Sequence, residues 1–256
     1  MPIRFSPHAF RSVILMTVAS VQPMVHAQQA ARPPIRTMTH YKLKADRMGD
    51  MAAAIKEYNG ILKKALWDKS YTIWRSATGP GELVRVDYHE KWAELDTPLI
   101  REPKLKEYQT DITRIARRIN DSFESSIRVI DIVNQEISLP RPAEPPKMVM
   151  VWTAHVKDGK MQDAMALEKN DYVPALKSAG FKSYIFSRAR FGAPSNEIHA
   201  SVGLEKWADL DQPNPVRKAM GDEKYHAFSE KMGAVLDDYR YEIYRYDPEL
   251  SYIAAK

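Results

Sequence analysis

The sequence predicts an α+β protein made of two similar units in tandem, whose sheets cover each other within one chain. Three observations carry this prediction: an internal repeat, a proline-rich segment between the copies, and the same order of strand-like and helix-like segments in each copy. A sheet with helices on one face leaves its other face bare, and a second copy can cover that face.

The internal repeat preserves residue identity. Lys69–Arg75 matches Lys182–Arg188 at an offset of 113 residues, and Glu90–Asp96 matches Glu205–Asp211 at an offset of 115, with six of seven residues identical. The offset grows within turn-like stretches, where insertions are tolerated. A shared hydrophobic pattern alone would not preserve identity, so the repeat indicates a duplication.

Each copy shows strands by alternation and helices by apolar spacing of three and four residues. The first copy predicts, in order, a strand over 37–43, a helix over 50–66, strands over 71–75 and 83–89, a helix over 103–122 and a strand over 127–132. The second predicts a strand over 148–156, a helix over 161–179, strands over 183–188 and 198–204, a helix over 225–238 and a strand over 241–246. This β-α-β-β-α-β order is typical of the ferredoxin-like fold.

The segment over 139–146 holds four prolines and predicts an extended linker. The predicted organisation is therefore a first ferredoxin-like unit over 36–137, a linker over 138–146 and a second unit over 147–250, joined as an intramolecular, barrel-like pseudo-dimer.

The N-terminus has the layout of a secretory signal peptide. Arg4 and Arg11 precede the short apolar run Val13–Val21, and Val25 and Ala27 suit the −3 and −1 positions of a cleavage site. We expect a signal peptide over 1–27, a leader over 28–35, and a periplasmic or secreted mature protein. No later stretch approaches 18 apolar residues, so we expect no membrane association after cleavage.

Composition narrows the function. The chain has 44% hydrophobic and 28% charged residues, no cysteine, and mixed charge without a long basic run. Thiolate chemistry is excluded and a nucleic-acid partner is disfavoured. Phosphate-loop, dinucleotide-binding and common hydrolase motifs do not occur.

The Glu-Lys-Trp-Ala-(Glu/Asp)-Leu-Asp block, which follows the third strand of each copy, resembles the strand-to-helix junction of the dimeric α/β-barrel superfamily. That superfamily includes antibiotic-biosynthesis-type monooxygenases and NIPSNAP-like proteins. The resemblance implies a small-molecule cavity in each ferredoxin-like unit. Some members oxidise their ligand without a cofactor and others hold haem, so we predict no cofactor and keep haem as an alternative.

Two histidines are candidate catalytic residues. Alternation along neighbouring strands places His155 and His199 on one face, directed into the space between the copies. Two imidazoles could transfer protons or bind a metal, but a third ligand is not evident and we predict no metal site. The plainer interpretation is a pair of partly solvated histidines at an interface.

Glu168 is the third catalytic candidate. It aligns with Ile55 on the apolar face of its helix, and Asp171 aligns with Tyr58. A carboxylate in an apolar setting acquires a raised pKa and can accept a proton near neutral pH. The interpretation we favour from sequence is that the helix is rotated and both acids reach water, because acidic side chains are seldom buried unpaired.

The remaining ligand-binding candidates are Asp171, Tyr172, Tyr184 and Arg245. The recurrence of Arg245 with Arg128 favours a structural role, with anion binding as the alternative. Trp92 and Trp207, like Tyr71 and Tyr184, are expected in the core.

Three functions stay open. The one we favour is an exported small-molecule-binding protein; the others are a cofactor-free oxygenase-type or haem-dependent enzyme using the second unit's cavity, and a structural module without a ligand. A homo-oligomer is compatible with each.

Overall fold

The computed structural model describes residues 34–79, 81–96, 102–140, 142, 144–211 and 214–255. The expected signal peptide over 1–27 lies outside the described residues, as does the leader up to residue 33.

Eight antiparallel strands close into a barrel in the order β1-β3-β2-β8-β5-β7-β6-β4. The strands are β1 (Ile35–Leu43), β2 (Tyr71–Ser76), β3 (Glu82–His89), β4 (Phe123–Val133), β5 (Met148–Val156), β6 (Tyr184–Phe191), β7 (Glu197–Leu204) and β8 (Leu236–Tyr252). Each half contributes four strands in an equivalent order, β4-β1-β3-β2 and β8-β5-β7-β6. The outer strands pair across the halves, β2 with β8 and β4 with β6, so that these strands leave no open sheet edge.

The helices pack on the outside of the barrel, and the predicted α+β class is confirmed. They are α1 (Met48–Lys64), α2 (Gln109–Asp121), α3 (Met161–Leu167), a π-helical segment (Glu168–Tyr172), α4 (Val173–Ser178), α5 (Pro215–Met220) and α6 (Asp222–Val235). The helix expected over 103–122 begins as a 3₁₀ helix over Pro103–Tyr108, and the last strand is much longer than expected because it pairs with both β5 and β2.

Alternation along the strands divides the apolar residues between two sides. One set packs against the helices, as a cluster around Leu62 and Leu83 in the first half and around Leu176 and Phe186 in the second. The other set faces the interior of the barrel, where a third cluster contains Met38, Trp74, Val84, Val129, Ala189 and Tyr244. The barrel therefore has two outer cores and one interior surface.

The two tryptophans of the repeated block do not belong to these cores. Trp92 and Trp207 are 43% and 40% exposed, because each begins a short 3₁₀ helix beyond the end of its strand. The expectation that they are buried was wrong. The expectation for Tyr71 and Tyr184 is confirmed, since they are 3% and 2% exposed.

Candidate functional site

The inward faces of the strands enclose a cavity of about 650 Å³. Its middle is apolar, with side chains from both halves of the chain: Met38, Trp74, Val84, Val86, Val129, Val149, Val151 and Ile185. Pro142, Pro145 and Pro146 of the linker also line it. A volume of this size is in the ordinary range for small-molecule sites.

A row of polar side chains, which we call the polar belt, runs from strand to strand, and three of its members, Arg36, Glu197 and His199, line the cavity. Its members come from six successive strands: Arg36 (β1), Asp131 (β4), Ser187 (β6), Glu197 and His199 (β7), His155 (β5) and Asp238 (β8). The register explains the row, because Arg36 lies opposite Asp131, and His155 lies opposite both Glu197 and Asp238.

Hydrogen bonds join the belt from end to end. Nδ1 of His155 lies 2.7 Å from Asp238, and its Nε2 lies 3.1 Å from one oxygen of Glu197. The other oxygen of Glu197 lies 2.9 Å from Nε2 of His199. Nδ1 of His199 lies 3.1 Å from Asp131, whose same oxygen also accepts from Arg36 and from the Ser187 hydroxyl.

The geometry sets the protonation of the belt. Ionised carboxylates only accept hydrogen bonds, so a ring nitrogen facing one must donate. Both ring nitrogens of His199 face carboxylates, so its surroundings favour the imidazolium form.

The electrostatics agree with this assignment. Burial opposes the charge on His199, but hydrogen bonds to Asp131 and Glu197 outweigh it and raise the pKa of His199. Burial also opposes the charge on Asp131, but Arg36 and His199 outweigh it and hold the pKa of Asp131 well below its usual range. The hydrogen bond from His199 is the main cause that lowers the pKa of Glu197.

A second polar cluster lies elsewhere on the cavity wall. His40 Nδ1 lies 3.1 Å from Glu82, and the Tyr244 hydroxyl donates to the same carboxylate oxygen at 2.7 Å. Glu82 and Glu197 correspond in the repeat, and each bonds a histidine of the neighbouring first strand. The repeat therefore keeps a glutamate–histidine pair, although the histidines are not at equivalent positions.

Glu168 lies on the other side of the sheet, between the helices and the strands of the second half. It is only 3% exposed, and the Tyr184 hydroxyl donates to it at 2.6 Å. Burial raises the pKa of Glu168 to about 7, and the hydrogen bond from Tyr184 only partly opposes this. The interpretation that Glu168 reaches water was wrong, because the π-helical segment that it begins holds it against the sheet.

The π-helical segment also corrects the alignment of Asp171. The helix ends correspond at an offset of 114, since Leu66 and Gly180 both have positive φ and follow the last helical turn. One residue has therefore been added relative to α1, and Tyr172 rather than Asp171 corresponds to Tyr58. Asp171 is half-buried at the helix surface.

A pair of tyrosines recurs between helix and sheet in both halves. Tyr58 and Tyr71 are buried in the first half, and Tyr172 lies 5.8 Å from Tyr184, between ring centroids, in the second. Tyr172 also stacks on Phe228 at 5.5 Å. The rings of Tyr172, Tyr184 and Phe228 fill the space around Glu168.

Arg245, the remaining candidate, is exposed, and its guanidinium lies 5.8 Å from the Trp207 ring, outside the cavity lining. The structural role favoured for the repeated arginines has one clear example in Arg75, which pairs with Asp247 at 2.5 Å.

The described residues hold no cluster of three or more histidines or acids arranged to bind a metal ion. No histidine in the described part of the second half is free to bind haem iron from inside the protein. His155 and His199 have both ring nitrogens occupied by carboxylates, and His226 is exposed on α6. Among the helices described here, none is long and apolar enough to cross a membrane.

Sequence reasoning missed Arg36, Asp131, Glu197, His40 and Glu82. The glutamates carried a signal, because they recur at the start of the third strand in both copies. Arg36 and Asp131 carried none. They pair with each other between β1 and β4, and their further partners, Ser187 and His199, come from the second half of the chain.

Solved structures share this fold. A candidate monooxygenase from Lactobacillus acidophilus NCFM matches with a TM-score of 0.60 at 9% identity, over 87% of this chain and 97% of that one. A candidate monooxygenase from Fusobacterium nucleatum subsp. nucleatum ATCC 25586 matches at 0.58 and 10%, over 85% and 94%. An anthrone oxidase-like protein matches at 0.57 and 11%, over 88% and 94%.

These three structures share the arrangement of strands and helices of this chain over most of its length. No protein-family model and no curated protein sequence matches the chain. At such low identity the likeness concerns the fold alone.

Proposed function

We propose that this protein binds a small, largely apolar molecule inside the closed barrel. The observation that carries the proposal is the cavity of about 650 Å³ with an apolar middle and two polar clusters in its wall. A purely structural module would fill its interior with side chains, as packed barrels do.

The rest of the proposal concerns origin and location. The two halves, with their equivalent strand orders and repeated sequence blocks, descend from one duplicated ferredoxin-like unit. The signal-peptide layout of the N-terminus supports export to the periplasm or the outside of the cell.

Native mass spectrometry of the purified mature protein tests ligand binding directly. We expect a small molecule to be retained by the wild type. Val151→Trp places a large ring in the cavity wall and should abolish retention, whereas Leu210→Trp, at an exposed position, should leave it unchanged.

Two results would contradict the proposal. A molecule retained equally by Val151→Trp would have its site elsewhere. A wild type that purifies empty, and that binds neither 2-naphthoate nor 2-naphthamide in calorimetry, would leave the cavity without a ligand-binding role.

Glu168 supports a second candidate, an enzyme of the cofactor-free oxygenase type that acts between the helices and sheet of the second half. A buried carboxylate whose pKa is raised to about 7 can accept a proton from a bound substrate. A π-helical segment often marks such sites. We rank it second because aromatic rings pack around Glu168.

A further inference from the structure

We propose that the cavity ligand ends in a carboxylate, and that Arg36, with the neighbouring hydroxyls of Thr153 and Ser201, holds that end. The inference rests on the proposed function and names the ligand class of the same cavity. It assigns a binding role to one end of the polar belt.

Arg36 provides the first observation. Its side chain lines the cavity and is 5% exposed, and it pairs with Asp131 through one terminal nitrogen. Its Nε has no hydrogen-bond partner among the described residues. A buried guanidinium with an unused N–H is costly, so the arrangement favours a ligand that supplies an acceptor.

The neighbouring side chains add two hydroxyl donors, those of Thr153 and Ser201. His199 lines the same wall, but its two N–H groups are taken by Asp131 and Glu197, so it contributes positive charge and no further hydrogen bond. Thr153 lies opposite His199 in the pairing of β5 with β7, and Ser201 follows two residues along the same face of β7.

The carboxylates of the belt do not cancel this preference. Asp131 is fully buried and is not part of the lining. Glu197 does line the cavity, but its two oxygens are taken by His155 and His199 at 3.1 and 2.9 Å. At this end of the belt a ligand therefore meets two cations and one carboxylate, Glu197, each of whose oxygens already accepts a hydrogen bond. The other carboxylates of the lining, Glu82 and Glu242, lie beside Tyr244.

The apolar middle of the cavity determines the chemistry of the rest of the ligand. Valine side chains and the Trp74 ring surround the space next to the belt, so the body of the molecule should be apolar or aromatic. An apolar acid satisfies both parts of the cavity, whereas a neutral apolar molecule leaves the Arg36 N–H without an acceptor.

Isothermal titration calorimetry with two probes of the same shape tests the inference. 2-Naphthoate carries the carboxylate, and 2-naphthamide is its uncharged counterpart. We expect the wild type to bind the naphthoate at least about tenfold more tightly, as suits a charge-assisted hydrogen bond.

Arg36→Lys keeps a positive charge beside Asp131 but lacks the planar fork and the Nε–H. It should lose most of the preference for the naphthoate while its affinity for the amide stays within about twofold, an effect of geometry and not of net charge. Arg245→Lys is the matched control, because Arg245 is exposed and does not line the cavity. If Arg36→Lys does not fold, the double variant Arg36→Met with Asp131→Asn removes both buried charges and should show the same loss.

The outcomes separate the two proposals. Equal affinity for both probes, with both blocked by Val151→Trp, overturns the carboxylate inference and leaves cavity binding intact. A preference that survives in the Arg36 variants overturns it as well. Failure of both probes to bind the wild type overturns the proposed function itself.

Discussion

Replacing Glu168 by glutamine should change how stability depends on pH. The native pKa is raised from the ordinary value of 4.5 to about 7. The native state therefore binds more protons than the unfolded state between these values, and the free energy of unfolding falls as pH rises through this window. At about 1.4 kcal/mol per pH unit, the wild type should lose roughly 3 kcal/mol by pH 8.

Glutamine has nearly the same shape and still accepts from Tyr184, but it does not titrate. The difference in unfolding free energy between Glu168→Gln and wild type should therefore shift by roughly 3 kcal/mol in favour of the variant between pH 4.5 and pH 8. Urea denaturation followed by circular dichroism at several pH values measures it. Other titrating groups are shared by both proteins and cancel in the difference.

Glu230→Gln is the control, since Glu230 is exposed on α6 and its replacement should give a curve parallel to the wild type. If Glu168→Gln also stays parallel, within about 0.5 kcal/mol, the carboxylate is not buried without a compensating charge and the reasoning fails.

Two further substitutions probe the belt and a strand junction. Asp131→Asn should lower the free energy of unfolding by about 3–5 kcal/mol in chemical denaturation, because it leaves the buried Arg36 guanidinium unpaired. Adding Arg36→Met should restore part of that free energy. If it restores none, Arg36 and Asp131 are not directly paired. Gly192→Ala should destabilise far more than Gly159→Ala in thermal unfolding. Both glycines have positive φ, but a Cβ at residue 192 would lie 1.9 Å from the backbone oxygen of Arg128, whereas at residue 159 it meets nothing; equal losses would show that the contact can relax.

Most of the fold could be predicted because its elements follow local rules. Strand alternation and helical spacing place nearly every element within a few residues. The strands of His155 and His199, which were expected to be neighbours, pair as β5 and β7. The π-helical segment was not predicted, because one added residue in a helix leaves the apolar spacing almost unchanged. The full length of β8 was not predicted, because its last residues are held by pairing with β2, which is distant in sequence.

The candidate site could be predicted only where it depends on neighbouring strands of one half. Strand alternation places His155 and His199 on one face, and the structure joins both to Glu197. The burial of Glu168 was predicted wrongly. The general rule that acidic residues are exposed was given more weight than the position of Glu168 on an apolar helix face.

The polar belt shows why the remainder lay beyond sequence reasoning. Arg36 and Asp131 come from the first half, whereas Ser187, His199 and the rest of the belt come from the second, and the seam between β4 and β6 brings them together. Neither half contains the belt alone, and the equivalent position of His199 in the first half is Val84. Two similar halves on one chain can differ in sequence, so they can build an asymmetric site that a symmetric pair of identical subunits would have to duplicate.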